Sequence, residues 1–196
     1  MYQKYIKTFF DFFFTLILVI ILIPIFIIIG IVLKVTTNSS VIYKQKRVGK
    51  NGKTFNIYKF RTMVADTPIV VGSDRAHIRN RVTKVGRYLR DTSLDELPQL
   101  FNILKGNMSL IGPRPVVETE YKLLNLRNEN DVLRLKPGLT GLAQVNGRKN
   151  LSDEKKAQFD AEYAKKISIF LDISILYKTI PVIFVREGVQ KLLKKH

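Results

Sequence analysis

"FFFTLILVIILIPIFIIIGIVL", Phe12 to Leu33, decides the architecture of this chain, because it carries no charge over about 22 residues. As a helix it would be about 33 Å long, enough to span the hydrocarbon core of a bilayer. Apolar side chains cover every side of it, which a helix buried along one stripe does not need. No small-residue cleavage site follows, so a removable signal peptide fits poorly. Pro24 lies near the middle, where its missing N–H and its ring cost about 3 kcal/mol or more in a helix. Both flanks are basic, with Lys4 and Lys7 before and Lys34, Lys44, Lys46 and Arg47 after. A crossing helix is expected to concentrate its positive charge on one side. Symmetric flanks suit a hairpin that enters one leaflet, bends at Pro24 and returns. A kinked transmembrane helix is the other reading, since Pro is tolerated there. The residues alone leave both open. Asp11 stands four residues after Lys7, one helical turn away, where the pair could sit at head-group level.

Outside this run the chain is polar and strongly basic. Lys and Arg number 33 against 16 acidic residues, a net charge of +17 over 196 residues. The excess is spread along the chain and points to anionic partners: lipid head groups, lipid phosphates, nucleotides or nucleic acid. There is no Cys, which excludes disulfides and thiolate metal sites. The only His residues, His77 and His196, argue against a His-based triad or zinc centre. Catalysis would then rest on carboxylates, Lys, Arg, hydroxyls and a hard metal.

The pattern divides the chain into a membrane element, residues 1–36, and a polar domain, residues 37–196. "SVIYKQKRVGKNGKTFNIYKFRTM" (Ser40 to Met63) predicts a β-hairpin of Val41 to Val48 and Phe55 to Thr62 around the turn signal Asn51-Gly52. Asp66 to Asp74 reads as a loop. Helices are predicted over His77 to Arg90, over Leu97 to Lys105 with Gly106 as a stop, and over Val117 to Leu135 with "NEN" unwound. "GPRPV" is a stiff extended turn, and "KPGLTGLAQVNGR" is a Gly-rich loop. Ser152 opens a helix whose first turn holds Asp153 and Glu154. Ile167 to the end is apolar and basic, broken at Pro181. The fold class is α+β: a short hairpin and a mainly helical domain with interfacial amphipathic helices.

In this basic setting "TSLDELPQLFNILKG" places two adjacent carboxylates, Asp95 and Glu96, at a helix start. Ser93 and Glu96 match the S-x-x-E capping box; with Asp95 as the cap instead, Pro98 falls in the tolerated first turn. Taken alone, such a pair caps a helix more often than it catalyses. Its surroundings favour chemistry. Lys59 and Arg61 alternate in "YKFRTM", Arg90 lies just before the pair, Arg114 sits between two prolines, and Arg148 follows a Gly-rich loop. Cations on stiff segments are the groups expected around a diphosphate. A carboxylate beside bound phosphates suggests Mg²⁺.

The motifs "QKRVG", "YKFRTM", "TSLDELPQLFNILKGNMSLIGPRP" and "KPGLTGLAQVNGR", in this order, resemble the bacterial sugar transferases, the small monotopic phosphoglycosyl transferases. The likeness extends from the apolar run through "FLDI" at Phe170 to Ile173. It implies transfer of a sugar-1-phosphate from a nucleotide sugar, UDP above all, to polyprenyl phosphate, initiating a surface glycoconjugate. Asp95 falls on the family's nucleophile and Glu96 on its Mg²⁺-binding partner. Lys59, Arg61, Arg90, Arg114 and Arg148 are expected to bind substrate, with Arg148 nearest the nucleotide, and Asp172 matches a further acidic position. The resemblance also implies a re-entrant helix-break-helix with Pro24 as the break, in the bacterial inner membrane with the catalytic domain on the cytoplasmic face. Ile23 stands where many members have Ser before that Pro, which removes a hydroxyl able to hold the bend. The competing reading is a non-enzymatic, membrane-tethered basic module that binds nucleic acid or anionic lipid. It explains the charge and the apolar run, but not the Asp-Glu pair, and no nucleic-acid motif is present. Homo-oligomerisation is left open by the sequence.

Overall fold

The computed structural model describes residues 2–37, 39–64, 67, 79–147 and 150–184. A π-helical turn (Tyr2–Ile6) leads into α1 (Lys7–Thr36), one helix of 30 residues with Pro24 inside it. It is long and apolar enough to cross a membrane. The expected break into two helices is not seen: helix continues on both sides of Pro24. A proline removes one N–H and crowds one carbonyl, and the remaining hydrogen bonds can carry the helix through it.

One stripe of α1 faces inward along its whole length: Lys7, Asp11, Thr15, Val19, Leu22, Phe26, Ile29 and Leu33, at steps of three and four. Ile29 and Leu33 pack with Phe60 and Leu89. Val19, Leu22 and Phe26 pack against Ile57, Leu100, Ile103 and Met108. The membrane element is therefore part of the core of the polar domain. Its other faces leave Phe9, Phe13, Ile20, Ile21, Ile27, Ile28 and Ile31 exposed. An apolar surface of this extent requires a lipid or protein cover.

The hairpin forms as expected. β1 (Ile42–Val48) pairs antiparallel with β2 (Thr54–Phe60), and Asn51 and Gly52 take the positive φ values, 56° and 74°, that the turn needs. α2 (Lys84–Asp91) is capped by Thr83, whose Oγ1 accepts from the Gly86 amide. It begins later than predicted; His77 and most of the predicted 66–74 loop lie outside the described residues. α3 (Gln99–Leu104) ends at Gly106, which adopts φ 76°. A parallel pair, β3 (Ser109–Ile111) and β4 (Gly138–Thr140), escaped the sequence reading because each strand is only three residues long. Between them α4 (Tyr121–Glu129) stops at Asn130, and Asp131 takes φ 55°, as the polar "NEN" stretch suggested.

A short helix α5 (Leu142–Val145) leads to α6 (Asp153–Lys166), where Ser152 Oγ accepts from the Lys155 amide. α7 (Ile169–Phe184) runs through Pro181, where a break had been expected. A third core cluster joins Ile111, Val132, Leu135, Leu142, Tyr163 and Ile175. The outer face of α7 carries Ile169, Phe170, Ile173, Leu176, Tyr177 and Ile180, all exposed and at helical spacing. It is a second apolar surface, opposite the buried Ile175.

Candidate active site

Asp95 and Glu96 do not cap α3. They lie on a single 3-10 turn, Leu94–Glu96, and neither that turn nor α3 has a side-chain cap. Ser93 enters the turn with φ 59°, a left-handed conformation that costs a non-glycine residue energy and recurs at functional sites. The capping explanation of the pair thus fails in the structure.

The two carboxylates have different fates. Glu96 Oε1 accepts from Lys59 Nζ at 2.7 Å and from Arg114 Nη2 at 2.8 Å. These two cations hold its carboxyl far below the usual carboxylate range, against the opposing effect of burial. Asp95 is buried, 9% exposed, yet makes no hydrogen bond or ion pair among the described residues. Burial raises its pKa; the charges of Lys59, Arg90 and Arg114 pull it down, and that of Glu96 raises it further. Asp95 is an uncommitted carboxylate within the field of three cations.

Each cation is placed by a local device. Lys59 projects from β2, whose neighbouring residue Tyr58 is fixed by its amide bonding to Asn102 Oδ1 on α3 at 2.9 Å. Arg90 lies in the last turn of α2 and donates through Nε to Thr62 Oγ1 at 2.8 Å. This contact needs Gly86: a Cβ there would stand 2.0 Å from the Thr62 carbonyl oxygen, so only glycine lets α2 approach. Arg114 sits on the strap that follows β3. Gly138 N donates to Pro113 O at 2.8 Å, Val48 N to Val116 O at 2.9 Å, and Arg127 Nη1 to Arg114 O at 2.9 Å.

Arg127 and Asp160 were missed in the sequence, where they look like single charges within helices. Both are buried, and Arg127 Nε and Nη2 reach Asp160 Oδ2 at 2.9 and 2.6 Å. The available signal was the setting of Asp160 among Ala157, Ala161 and Ala164, small residues that let α6 pack closely. Asp160→Ala strands a buried guanidinium and should cost about 3–5 kcal/mol of stability. Chemical denaturation in detergent measures this; a loss below about 1 kcal/mol would mean the pair is not a keystone of the Arg114 strap.

Two expected site residues are employed elsewhere. Arg61 donates to Ser40 O and Ser40 Oγ at 2.7 and 2.6 Å, and lies over the Tyr43 ring. Asp172 accepts from Lys7 Nζ at 2.8 Å, Tyr2 Oη at 2.7 Å and Tyr163 Oη at 2.7 Å. Asp11 accepts from Ser109 Oγ at 2.7 Å and from the Leu110 amide at 3.3 Å. This buried network ties the start of α1 to α6, α7 and β3, so Asp172 is a fastening point for the membrane helix. The Lys7–Asp11 contact expected from sequence is long, 3.9 Å, because Lys7 turns to Asp172. Arg148 lies outside the described residues.

No group of three or more His, Cys, Asp or Glu side chains that could hold a metal occurs among the described residues. Asp95 and Glu96 can nonetheless serve Mg²⁺, which is bound by one or two carboxylates with phosphate oxygens and water completing its shell. Glu96 Oε1 is occupied by Lys59 and Arg114, so the carboxylate oxygens left for an ion are Glu96 Oε2 and those of Asp95.

The chain is similar to known proteins over most of its length. The undecaprenyl-phosphate galactose phosphotransferase of Salmonella typhimurium (strain LT2) is 44% identical over 174 residues, 79% of this chain and 36% of that protein. The UDP-glucose:undecaprenyl-phosphate glucose-1-phosphate transferase of Escherichia coli (strain K12) is 39% identical over 165 residues, 81% of this chain and 36% of that protein. The chain thus spans about a third of the length of these relatives. The uncharacterized sugar transferase EpsL of Bacillus subtilis (strain 168) is nearer in size: 43% identity over 162 residues covers 82% of this chain and 78% of EpsL. The profile of the bacterial sugar transferase family matches residues 2–186, a range that includes the hairpin, the Asp-Glu turn and the strap: this chain belongs to that family.

Proposed function

We propose that the chain transfers a sugar-1-phosphate from a nucleotide sugar to polyprenyl phosphate, with Asp95 as the nucleophile. The observation that carries this reading is the division within the carboxylate pair: Glu96 is clamped by two cations, while Asp95 stays free among three. Relatives named for undecaprenyl phosphate and for UDP-sugars make a UDP-sugar the first donor to test. A charge-binding module would have no use for a buried carboxylate that has no partner among the described residues.

In the first step an Asp95 oxygen attacks the sugar-linked phosphorus. The bond from that phosphorus to the bridging oxygen breaks, and the nucleoside monophosphate leaves with that oxygen. A phosphosugar-aspartyl intermediate remains. In the second step an oxygen of polyprenyl phosphate attacks the same phosphorus, the bond to Asp95 breaks, and the lipid diphosphosugar departs. Splitting one displacement into two is the logic of covalent catalysis. Lys59, Arg90 and Arg114 offset the diphosphate charge. Bound Mg²⁺ would add to that neutralisation. The test is release of nucleoside monophosphate from UDP-sugars, with and without polyprenyl phosphate and Mg²⁺. A stoichiometric burst without lipid is expected, and no release from any nucleotide sugar sinks the proposal.

The attack requires ionised Asp95, and its folded pKa is raised above the ordinary 3.8. kcat/KM should therefore rise with pH through an acid limb displaced above the normal aspartate range, then level off. A flat profile down to the ordinary aspartate pKa would remove Asp95 from the rate-determining chemistry.

The membrane acceptor requires the site to lie at a lipid surface. We place the catalytic domain and the N-terminus on one cytoplasmic face of the inner membrane. The start, middle and end of α1 all pack on the same polar domain, which supports this arrangement over a helix that leaves the domain behind. Basic residues near anionic head groups add about 1 kcal/mol each. Single cysteines at Tyr2 and Asn51, placed in this Cys-free chain, should both resist a membrane-impermeant thiol reagent in intact cells. Labelling of the Tyr2 position alone would mean that α1 spans.

A further inference from the structure

Gln144 is 5% exposed, yet among the described residues neither its amide nitrogen nor its carbonyl oxygen has a hydrogen-bond partner. A carboxamide buried with both ends unpaired is rare in a folded protein and calls for a ligand or a trapped water. Its place in the fold favours a ligand. β3 and β4 run parallel, so the chain leaves both strands at the same end. From β3 the chain reaches Arg114 three residues after Ile111; from β4 it reaches Gln144 four residues after Thr140. The two exits touch. A Cβ on Gly141 would stand 2.1 Å from the Gly112 carbonyl oxygen and 2.9 Å from Gln144 Oε1. Gln144 Oε1 therefore lies beside Gly141, and Gly141 abuts Gly112 at the start of the strap whose Arg114 grips Glu96. Leu142 and Val145 anchor its helical turn in the core beside Ile111 and Ile175.

The chemistry of the missing partner follows from what is unpaired. A carboxamide offers one donor edge and one acceptor edge in a single plane. A phosphate could satisfy only the nitrogen, and a metal ion only the oxygen. The imide edge of a nucleobase such as uracil, an N–H beside a C=O, satisfies both at once. The base is also the part of a nucleotide sugar farthest from the phosphorus that Asp95 would attack, so it belongs beyond Arg114. We propose that Gln144 reads the nucleobase of the donor by pairing with its imide edge. This rests on the nucleotide-sugar reading above.

Uridine 5′-monophosphate and ribose 5-phosphate separate the base from the rest of the nucleotide. Their binding to the full chain in detergent is measured by calorimetry for the wild type, Gln144→Met and the near-isosteric Gln144→Glu. The wild type should prefer the nucleotide. Gln144→Met should lose about tenfold or more in affinity for it, as expected for two hydrogen bonds, and keep its affinity for ribose 5-phosphate. Gln144→Glu keeps an acceptor and loses the donor, so it should fall between the two; it carries the test if the Met variant does not fold. Unchanged nucleotide binding in the variants overturns the proposal and marks Gln144 as paired with water. Equal loss for both ligands overturns it too, by moving Gln144 to the ribose. A wild type that binds no nucleotide overturns the nucleotide-sugar reading itself, and this one with it.

Discussion

Asp95→Asn should lower turnover by on the order of 10³-fold or more and, at neutral pH, raise the melting temperature. The amide is nearly the same size and shape as the carboxylate, but it cannot form the phosphosugar-aspartyl intermediate. Loss of a covalent nucleophile has effects of this size. The stability gain follows from linkage. Burial raises the folded pKa of Asp95, so the folded state binds its proton more tightly than the unfolded state does. The stability associated with protonated Asp95 is complete below the unfolded pKa and is lost as pH rises through the folded pKa. At neutral pH the charged, buried Asp95 thus weakens the fold, and a neutral amide relieves the strain. A residue kept at a cost to stability is a residue kept for chemistry. Thermal scans of both proteins at neutral pH, beside the burst assay, check both halves. Retention of more than a few per cent of the rate ends the covalent assignment; a large fall in melting temperature would make Asp95 structural.

How far the sequence led can be judged from particular elements. The hairpin was legible because Asn51-Gly52 and β-rich flanks are local signals. The helix at Ser152 was legible because its cap is local as well. Lys59 was legible as a candidate from its strand alternation, Arg90 from its place just before the acidic pair and Arg114 from its flanking prolines, and the fold brings their charges to bear on Asp95. What stayed hidden depends on contacts distant in sequence. β3 pairs with β4 across 26 intervening residues, so three-residue strands gave no periodicity to read. Asp172 matched an acidic position, but nothing in "FLDI" reveals Lys7 as its partner, 165 residues away. Arg61 shares a motif with Lys59 and yet bonds to Ser40, since β2 ends at Phe60 and the chain turns. Pro24 and Pro181 were overread as breaks: each removes one hydrogen bond, while packing along the rest of α1 and α7 holds the helix.

Glu96→Gln should reduce kcat/KM by about a hundredfold, and excess Mg²⁺ should restore only part of it. Two roles for Glu96 predict different rescue. As a metal ligand alone, it would be replaced by a weaker amide oxygen, and a high enough Mg²⁺ concentration would recover full turnover. As the counter-charge of Lys59 and Arg114, it cannot be replaced by any concentration of ion. Its Oε1 receives both cations, at 2.7 and 2.8 Å, and they hold it ionised in a largely buried place. A glutamine there can still accept a hydrogen bond, but it offers no charge to hold two cations close to each other. Lys59 and Arg114 would then move apart or turn to Asp95, which would become a paired carboxylate and a poorer nucleophile. Charge-assisted hydrogen bonds are worth about 1.5–3 kcal/mol each, which sets the scale of roughly a hundredfold. The Mg²⁺ titration of the variant should shift to higher concentration and then saturate at least about tenfold below the wild type. Full recovery at saturation would make Glu96 a metal ligand and nothing more. No shift in the titration would remove it from the metal site. The expected result, a shifted and truncated curve, needs both roles in one side chain: Oε1 that places the cations and Oε2 that remains free for the ion beside the diphosphate.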